Sequence, residues 1–473
     1  MAGIDAKFLY SETATAHMHT LKVAVVGTRD APGWFSFDQV TAVLGEQMGT
    51  LPPLRRRAVP VPFSLGHPVW IEDPDFDLAN HVSSRTAPAP GGDHELAAVV
   101  ADVAGAPLRR DRPLWELVVV EGLSDGRGAV IAKLHHAVAD GGAAVALLQS
   151  VVQGVMGQLS SAPGGPWPDP GRRGPRVPDP WQPEPVPSGR RLVSMAMRQH
   201  RDRLRGLPRL VQRSVRGMRA SESRRRSLPV RPPLPLQAPR TSLNVSLTGE
   251  RTFAMTRLPL ADLRSVRQVH GTTLNDVFLA VCAGALRGYL MERRELPHRP
   301  LVASVPVSTD TTADRMSGNR VDNLYVSIGT DIADPVERLR HIHQVASAAK
   351  EVRSVLGPDL LEQRAAVVPP QLYRASVRAW TRTRLANRVR PPLNVILSNV
   401  PGPRDPIAFG PVGLQAIYSV GPILEGIGCN MTAWSYVDGL YVSVIGCPAS
   451  LPDPWQLVDR LHGALAELVA RSG

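Results

Sequence analysis

The chain has 473 residues, 43% of them hydrophobic, which is too many for one ordinary core and enough for two or three domains. Its formal charge is +12, but fifteen arginines and only two acids, Asp202 and Glu222, lie between Arg190 and Arg240; the remainder is near neutral, so attraction to polyanions or anionic lipid belongs to that segment. No run approaches the roughly 18 apolar residues of a membrane-spanning helix, the first residues lack the pattern of a secretory signal, and Cys282, Cys429 and Cys447 lack metal-ligand spacing and cannot all pair, so a reduced, intracellular protein is expected.

From Met1 to about residue 159 the pattern is compact α/β. Leu21–Val26 reads as a strand. Trp115–Leu123 and Gly128–His135 are apolar, β-branched runs joined by Ser124-Asp125-Gly126-Arg127, which predicts a β-hairpin. Gly141–Met156 then reads as a buried helix. Residues 160–240 form a different region. Pro, Gly and Asp dominate to about Pro187, as in a linker. Residues 189–220 mix Leu, Met and Val with arginine, which fits one or two basic amphipathic helices broken near Pro208. A second Pro-rich stretch, Leu228–Pro239, closes the insert.

Order resumes at about Thr241 and continues to residue 473. Phe253–Leu258, Leu301–Ser308, Asn323–Ile328, Asn394–Ser398 and Leu440–Ile445 read as strands. Leu260–His270, Leu274–Glu292, Pro335–Val355 and Pro454–Arg471 read as helices. The expected organisation is two α/β lobes, 1–159 and 241–473, joined by the basic connector.

The candidate chemistry lies where the second hairpin strand ends, at His135-His136-Ala137-Val138-Ala139-Asp140-Gly141. Successive strand side chains face opposite ways, so the two histidines do not both address one substrate. Gly141 permits a tight turn into the helix, and Asp140 can fold back to fix the local backbone. A neutral imidazole, with an ordinary pKa of about 6.5, can take the proton of an attacking alcohol and return it to a departing thiolate. Gly122-Leu123-Ser124-Asp125-Gly126 has the spacing of a nucleophile elbow, but strand follows strand there, so it reads as a hairpin turn. His341-Ile342-His343 and His135-His136 lack the spacing of a metal site, and none is expected.

Beyond this segment, Pro113-Leu114-Trp115, Asn275-Asp276, Gly318-Asn319 and Ser398-Asn399-Val400-Pro401-Gly402-Pro403 stand in order along the chain. The opening holds Asp5-Ala6-Lys7-Phe8-Leu9 and then Met18-His19 before a strand. In these motifs and their spacing the sequence resembles the bacterial wax ester synthase/diacylglycerol acyltransferases, within the superfamily of chloramphenicol acetyltransferase and condensation domains. The resemblance covers nearly the whole chain except the arginine-rich insert. It implies an α/β (α+β) fold of two chloramphenicol acetyltransferase-like lobes, each a mixed sheet with packed helices, around a channel. It implies acyl-CoA as co-substrate with no other cofactor, and a diacylglycerol or long-chain alcohol as acceptor. His136 would be the general base, with His135 in support, Asp140 structural and Gly141 at the turn.

Asn275 and Asp276 have two readings, as a helix cap with its first turn and as substrate-binding residues. Ser398 and Asn399 also have two, as a donor set for the substrate carbonyl and as residues shaping the lobe crossover. Pro113-Leu114-Trp115 reads as packing beneath the catalytic strand. One departure concerns Asp140. Family members often place its arginine partner just after the strand Val305-Pro306-Val307-Ser308, where this chain has Thr309-Asp310. Arg315, Arg320 or backbone donors are the candidates to replace it. The alternatives to lipid acylation are a condensation-type enzyme acting on a polyketide or sugar hydroxyl, and a catalytically silent lipid-binding relative. The basic segment 189–240 reads as a contact with a membrane or lipid-droplet surface, with a solvated linker joining the lobes as the alternative and nucleic acid least favoured; the expectation is a cytoplasmic, peripherally associated protein.

Overall fold

The computed structural model describes residues 1–27, 35–140, 142–144, 146–147, 183, 185–308, 315–355, 369–409 and 412–472. Two six-stranded mixed sheets organise them. The first uses β1 (His19–Gly27), β4 (Val82–Thr86), β5 (Trp115–Glu121), β6 (Arg127–His135), β11 (Ala408–Phe409) and β12 (Val412–Val420), in the order β11-β12-β1-β6-β5-β4. The second uses β7 (Thr252–Pro259), β8 (Val302–Ser308), β9 (Val321–Ser327), β10 (Val395–Val400), β13 (Asn430–Tyr436) and β14 (Gly439–Gly446), in the order β7-β14-β13-β10-β8-β9. A small ribbon pairs β2 (Arg56–Val59) with β3 (Val69–Glu72). Strands β11 and β12 come from the C-terminal half of the chain yet complete the N-terminal sheet, β12 pairing antiparallel with β1 from Leu21↔Val420 to Gly27↔Gly413. The lobes are therefore cross-stitched rather than strung in sequence.

The expected hairpin is present, β5 against β6, with Asp125 and Gly126 both at positive φ in its turn. On the second lobe, α5 (Leu260–His270) stops at Gly271, whose φ of 62° sends its N–H back to the Arg267 carbonyl. Thr273 then opens α6 (Leu274–Glu292) through a capping box with Asp276. Helix α6 is long and apolar enough to cross a membrane, but twelve of its residues are buried against α5, α7 (Pro335–Ser354), α9 (Trp455–Ala470) and the sheet. It is a core helix. On the first lobe, α1 (Gly3–Ser11), α2 (Phe37–Gln47) and α3 (Asp93–Gly105) cover the sheet, and α8 (Pro370–Arg382) lies against α1. A shared core of β1, α3, β7, β12, β13 and β14 side chains, including Trp434, Tyr436 and Tyr441, joins the lobes.

The basic segment differs from expectation. Instead of helices broken near Pro208 it forms one 39-residue helix, α4 (Gly189–Ser227), with Pro208 inside it. An interior proline removes a hydrogen bond and crowds the preceding turn, at a cost of about 3 kcal/mol. Tertiary anchors at both ends offset that cost. Leu192 and Ala196 pack against Val61 of the first lobe. Ser221 donates to the Val352 carbonyl, and Arg224 pairs with Glu351 on the second lobe. The helix read at Gly141–Met156 lies mostly outside the described residues; 142–144 and 146–147 are helical.

Candidate active site

The His135–Asp140 segment leaves β6 and is held at every step by backbone bonds. His135 N–H donates to the Leu114 carbonyl, so the Pro113-Leu114-Trp115 stretch supports the histidines directly. His136 N–H donates to the Met18 carbonyl at 2.7 Å. Residues 138–140 then run beside Gly318 of the second lobe: Gly318 N–H donates to the Val138 carbonyl, Asp140 N–H to the Gly318 carbonyl, and Ala139 and Gly318 form a parallel bridge.

The two histidines face opposite ways, as strand alternation requires. His135 is fully buried. Its Nδ1 accepts from the Ala137 N–H at 3.0 Å, so the neutral ring carries its proton on Nε2 and donates it to Glu12 at 3.2 Å. Burial pushes the His135 pKa down to about 4 despite that carboxylate. Burial also raises the Glu12 carboxyl, but the His135 hydrogen bond and the Arg110 guanidinium outweigh it and leave its pKa below the ordinary value. His135 is thus a neutral structural donor.

His136 is half-buried, and its ring stacks on Phe8 of α1 with centroids 4.1 Å apart. Its Nδ1 meets Asn319 Oδ1 at 2.9 Å. The orientation of that amide follows from its other bonds: Nδ2 donates to Asp5 Oδ1 at 2.7 Å and to the His136 carbonyl at 2.8 Å, both obligate acceptors. Oδ1 must therefore accept from His136, which places the imidazole proton on Nδ1 and leaves the Nε2 lone pair available. Burial lowers the His136 pKa below its ordinary value, with Asp140 and Asn319 opposing the shift, so the ring is neutral at pH 7. This is the tautomer and charge state a general base needs.

Asp140 is 1% exposed and fully engaged. Oδ1 accepts from the Ala143 N–H, securing the start of the following helix. Arg315 Nη2 reaches Oδ1 at 2.9 Å and Oδ2 at 2.7 Å, and the Arg320 N–H donates to Oδ2 at 2.7 Å. Two of the three candidate replacements, Arg315 and a backbone donor, therefore act together. Asp310 and Gly141 lie outside the described residues.

Lys22 is a component that sequence reading missed. The β1–β6 register pairs His19 with His135 and Lys22 with Ala132, which puts Lys22 on the face of the sheet opposite His135 and shared with His136. Its ammonium donates to Ser419 Oγ and sits 4.6 Å from the Trp434 ring centre. Burial pushes its pKa down to about 7, against the pull of Asp140. Asn319, Asp5 and Phe8 lie in the motifs named above without an assigned role; only contacts between residues distant in the chain give them one.

The other motif residues sit apart from these bonds. Thr273, not Asn275, caps α6; Asp276 accepts from Thr273 N–H at 2.9 Å and lies 2.8 Å from His343 Nδ1 on α7. No hydrogen bond among the described residues ties Asn275 or Asp276 to the His135–Asp140 segment. Ser398 and Asn399 are half-buried at the end of β10, opposite Thr432 and Ala433 of β13. The turn after them packs on Trp434 so closely that a Cβ on Gly402 would fall 1.9 Å from Trp434 Nε1.

A two-lobed mixed α/β fold with a His-His-x-x-x-Asp segment pinned across the lobes is the architecture of the chloramphenicol acetyltransferase-like class. Residues 1–278 match the wax ester synthase/diacylglycerol acyltransferase catalytic domain, and residues 317–469 match the C-terminal domain of the same family. A Mycobacterium tuberculosis protein named, provisionally, diacylglycerol O-acyltransferase is 38% identical over 473 residues, covering 100% of this chain and 96% of the relative. Another from the same organism is 36% identical over 474 residues, covering 99% and 96%. The wax ester synthase/diacylglycerol acyltransferase of Marinobacter aquaeolei VT8 superposes with a TM-score of 0.66 at 27% identity, covering 99% of this chain and 98% of that one. The starter condensation domain of rhizomide synthetase, solved with C8-CoA, shares the fold alone, with a TM-score of 0.55 at 14% identity and coverage of 100% and 94%. The chain belongs to the wax ester synthase/diacylglycerol acyltransferase family.

Proposed function

We propose that the enzyme transfers the acyl group of an acyl-CoA to the free hydroxyl of a diacylglycerol, forming triacylglycerol, with long-chain alcohols giving wax esters as the secondary reaction. The observation that carries this reading is the Asp5–Asn319–His136 relay, which holds the proton on Nδ1 and leaves Nε2 unprotonated. The acceptor hydroxyl gives its proton to Nε2 as its oxygen bonds to the thioester carbon. The tetrahedral intermediate then collapses, the C–S bond breaks, and the imidazolium returns the proton to the CoA thiolate. Both substrates occupy a channel between the lobes at once, no covalent enzyme intermediate forms, and acyl-CoA is the only co-substrate. Asn399 and Ser398 are candidate donors to the thioester oxygen, and Asn275 and Asp276 candidate acceptor contacts.

The test is formation of triacylglycerol from labelled palmitoyl-CoA and diacylglycerol, with hexadecanol as the competing acceptor. Ester from either supports the reading. Ester from neither, with protein that remains folded, would favour a lipid-binding relative without activity. Transfer to sugar or polyketide hydroxyls instead would favour a condensation-type enzyme.

The acceptors dissolve in membranes, and the 189–240 segment carries a net charge of about +13. We further propose that this segment holds the enzyme at an anionic membrane or lipid-droplet surface on the cytoplasmic side. Deleting 189–240 should weaken pelleting with liposomes in low salt, and unchanged pelleting would refute it.

A further inference from the structure

Among the described residues the most exposed large apolar side chain is Phe63, at 82%, on a tight turn between β2 and β3. Its φ is 55° and that of Ser64 is 52°. Two consecutive non-glycine residues in the left-handed region cost energy, and here the strained turn holds an aromatic ring out in water.

Phe63 is not isolated. Gln371 Nε2 donates to its carbonyl at 2.6 Å, bringing α8 alongside, and the next residue, Leu372, is 67% exposed. On the other side the start of α4 packs against the turn. Leu192 and Ala196 bury against Val61, a Cβ on Gly66 would fall 3.0 Å from Ala196 Cβ, and the neighbouring Met197 is 58% exposed. Three segments, 59–67, 185–201 and 369–390, thus bring apolar side chains to one face. Those segments contain ten arginines and no acid. Arg190, Arg191, Arg374 and Arg378 are exposed among them.

This face also connects to the reaction centre. Tyr373, beside Leu372, hydrogen-bonds Ser11 at 2.8 Å at the end of α1, and α1 carries Phe8, which stacks on His136. We infer that the face formed by the Phe63 turn, the first turns of α4 and helix α8 docks on the surface of an anionic phospholipid bilayer, with Phe63 and Leu372 inserted among the acyl chains and the arginines on the headgroups. Apolar insertion ringed by cations is the pattern of an interfacial site, and the uniform positive charge selects an anionic surface. The inference rests on the lipid-acceptor reading above and adds to it an insertion point outside the basic segment. Docking there would set α1, and through it His136, next to the phase that contains the acceptor.

The experiment uses the full chain and two measurements. Sedimentation with vesicles of 70% phosphatidylcholine and 30% phosphatidylglycerol compares the wild type with the double variant F63S/L372S. Ester formation is measured in parallel with diacylglycerol in detergent micelles. Both side chains are exposed, so thermal denaturation of the variant should match the wild type. The inference predicts vesicle binding about tenfold weaker in the variant, with micellar turnover unchanged. Equal binding by the variant and the wild type overturns it, as does light scattering that shows a dimer dissociated by the same substitutions, because the face would then seat a second copy. Loss of ester formation by the wild type in micelles, with vesicle binding still dependent on Phe63 and Leu372, would instead remove the acceptor reading and leave the docking face standing.

Discussion

Arg315 of the second lobe closes on Asp140 of the first, with Nη2 at 2.9 and 2.7 Å from the two carboxylate oxygens. The pair joins the loop after the histidines to the segment before β9 that carries Asn319. Because Asp140 is buried and Arg315 also bonds the Ser317 and Gly318 carbonyls, the guanidinium fixes both sides of the junction. Replacing it by methionine leaves a buried carboxylate with backbone donors only. Removal of one partner from such a pair costs about 3 kcal/mol. R315M should therefore melt several degrees below the wild type and lose turnover with it, whereas R315K should recover part of both. An unchanged melting temperature for R315M would show that the Ala143 and Arg320 N–H groups suffice.

Asn319 tests the tautomer argument. N319A removes the acceptor of the Nδ1 proton and should lower kcat by about 10²-fold with a smaller change in KM, as expected when a base loses its orientation. N319D places a second carboxylate against Asp5, which accepts from this position at 2.7 Å, and against the imidazole. It should destabilise the fold and raise the His136 pKa, moving the acid limb of the kcat/KM profile upward. An N319A enzyme with wild-type kcat would remove the relay from the mechanism.

The pH profile follows from burial. A base works when deprotonated, and burial lowers the His136 pKa, so the acid limb of kcat/KM should fall below the ordinary 6.5. Lys22 contributes to that position. Its pKa is pushed down to about 7, so it is a cation in the range where His136 titrates and opposes a second positive charge. K22M should shift the acid limb to higher pH. Lys22 also binds fewer protons folded than unfolded between pH 7 and its ordinary value of about 10.5, so its contribution makes stability rise with pH across that window. Denaturant titrations at pH 7 and 9.5 should show a smaller pH dependence for K22M than for the wild type.

Parts of this architecture could be read directly from the residues. Helices α5 and α6 are legible at Leu260–His270 and Leu274–Glu292, where Gly271 and Thr273 punctuate them. The β5–β6 hairpin followed from Ser124-Asp125-Gly126, and the opposed histidines from strand alternation. Other features depended on distant contacts. Pro208 signals a break locally, yet α4 runs through it because each lobe anchors one end. Strand β12 is not legible locally, since its partner β1 lies almost 400 residues away. Asn319 could be seen as half of a Gly-Asn pair, but not as the residue that orients His136. Phe8 and Lys22, an ordinary aromatic and an ordinary strand lysine by sequence, gain their meaning only from the register and from α1 packing over the site.

In the proposed mechanism His136, not His135, moves the proton. Purified wild type, H136A and H135A would be given labelled palmitoyl-CoA and diacylglycerol, and the initial rate of ester formation followed under saturating conditions, with circular dichroism confirming the fold of each. H136A should lose about 10²- to 10⁴-fold of the wild-type rate without loss of structure. H135A should show a defect that tracks reduced thermal stability, since that ring supports the Ala137 and Glu12 contacts. Equal turnover by H136A and the wild type would remove His136 as the base.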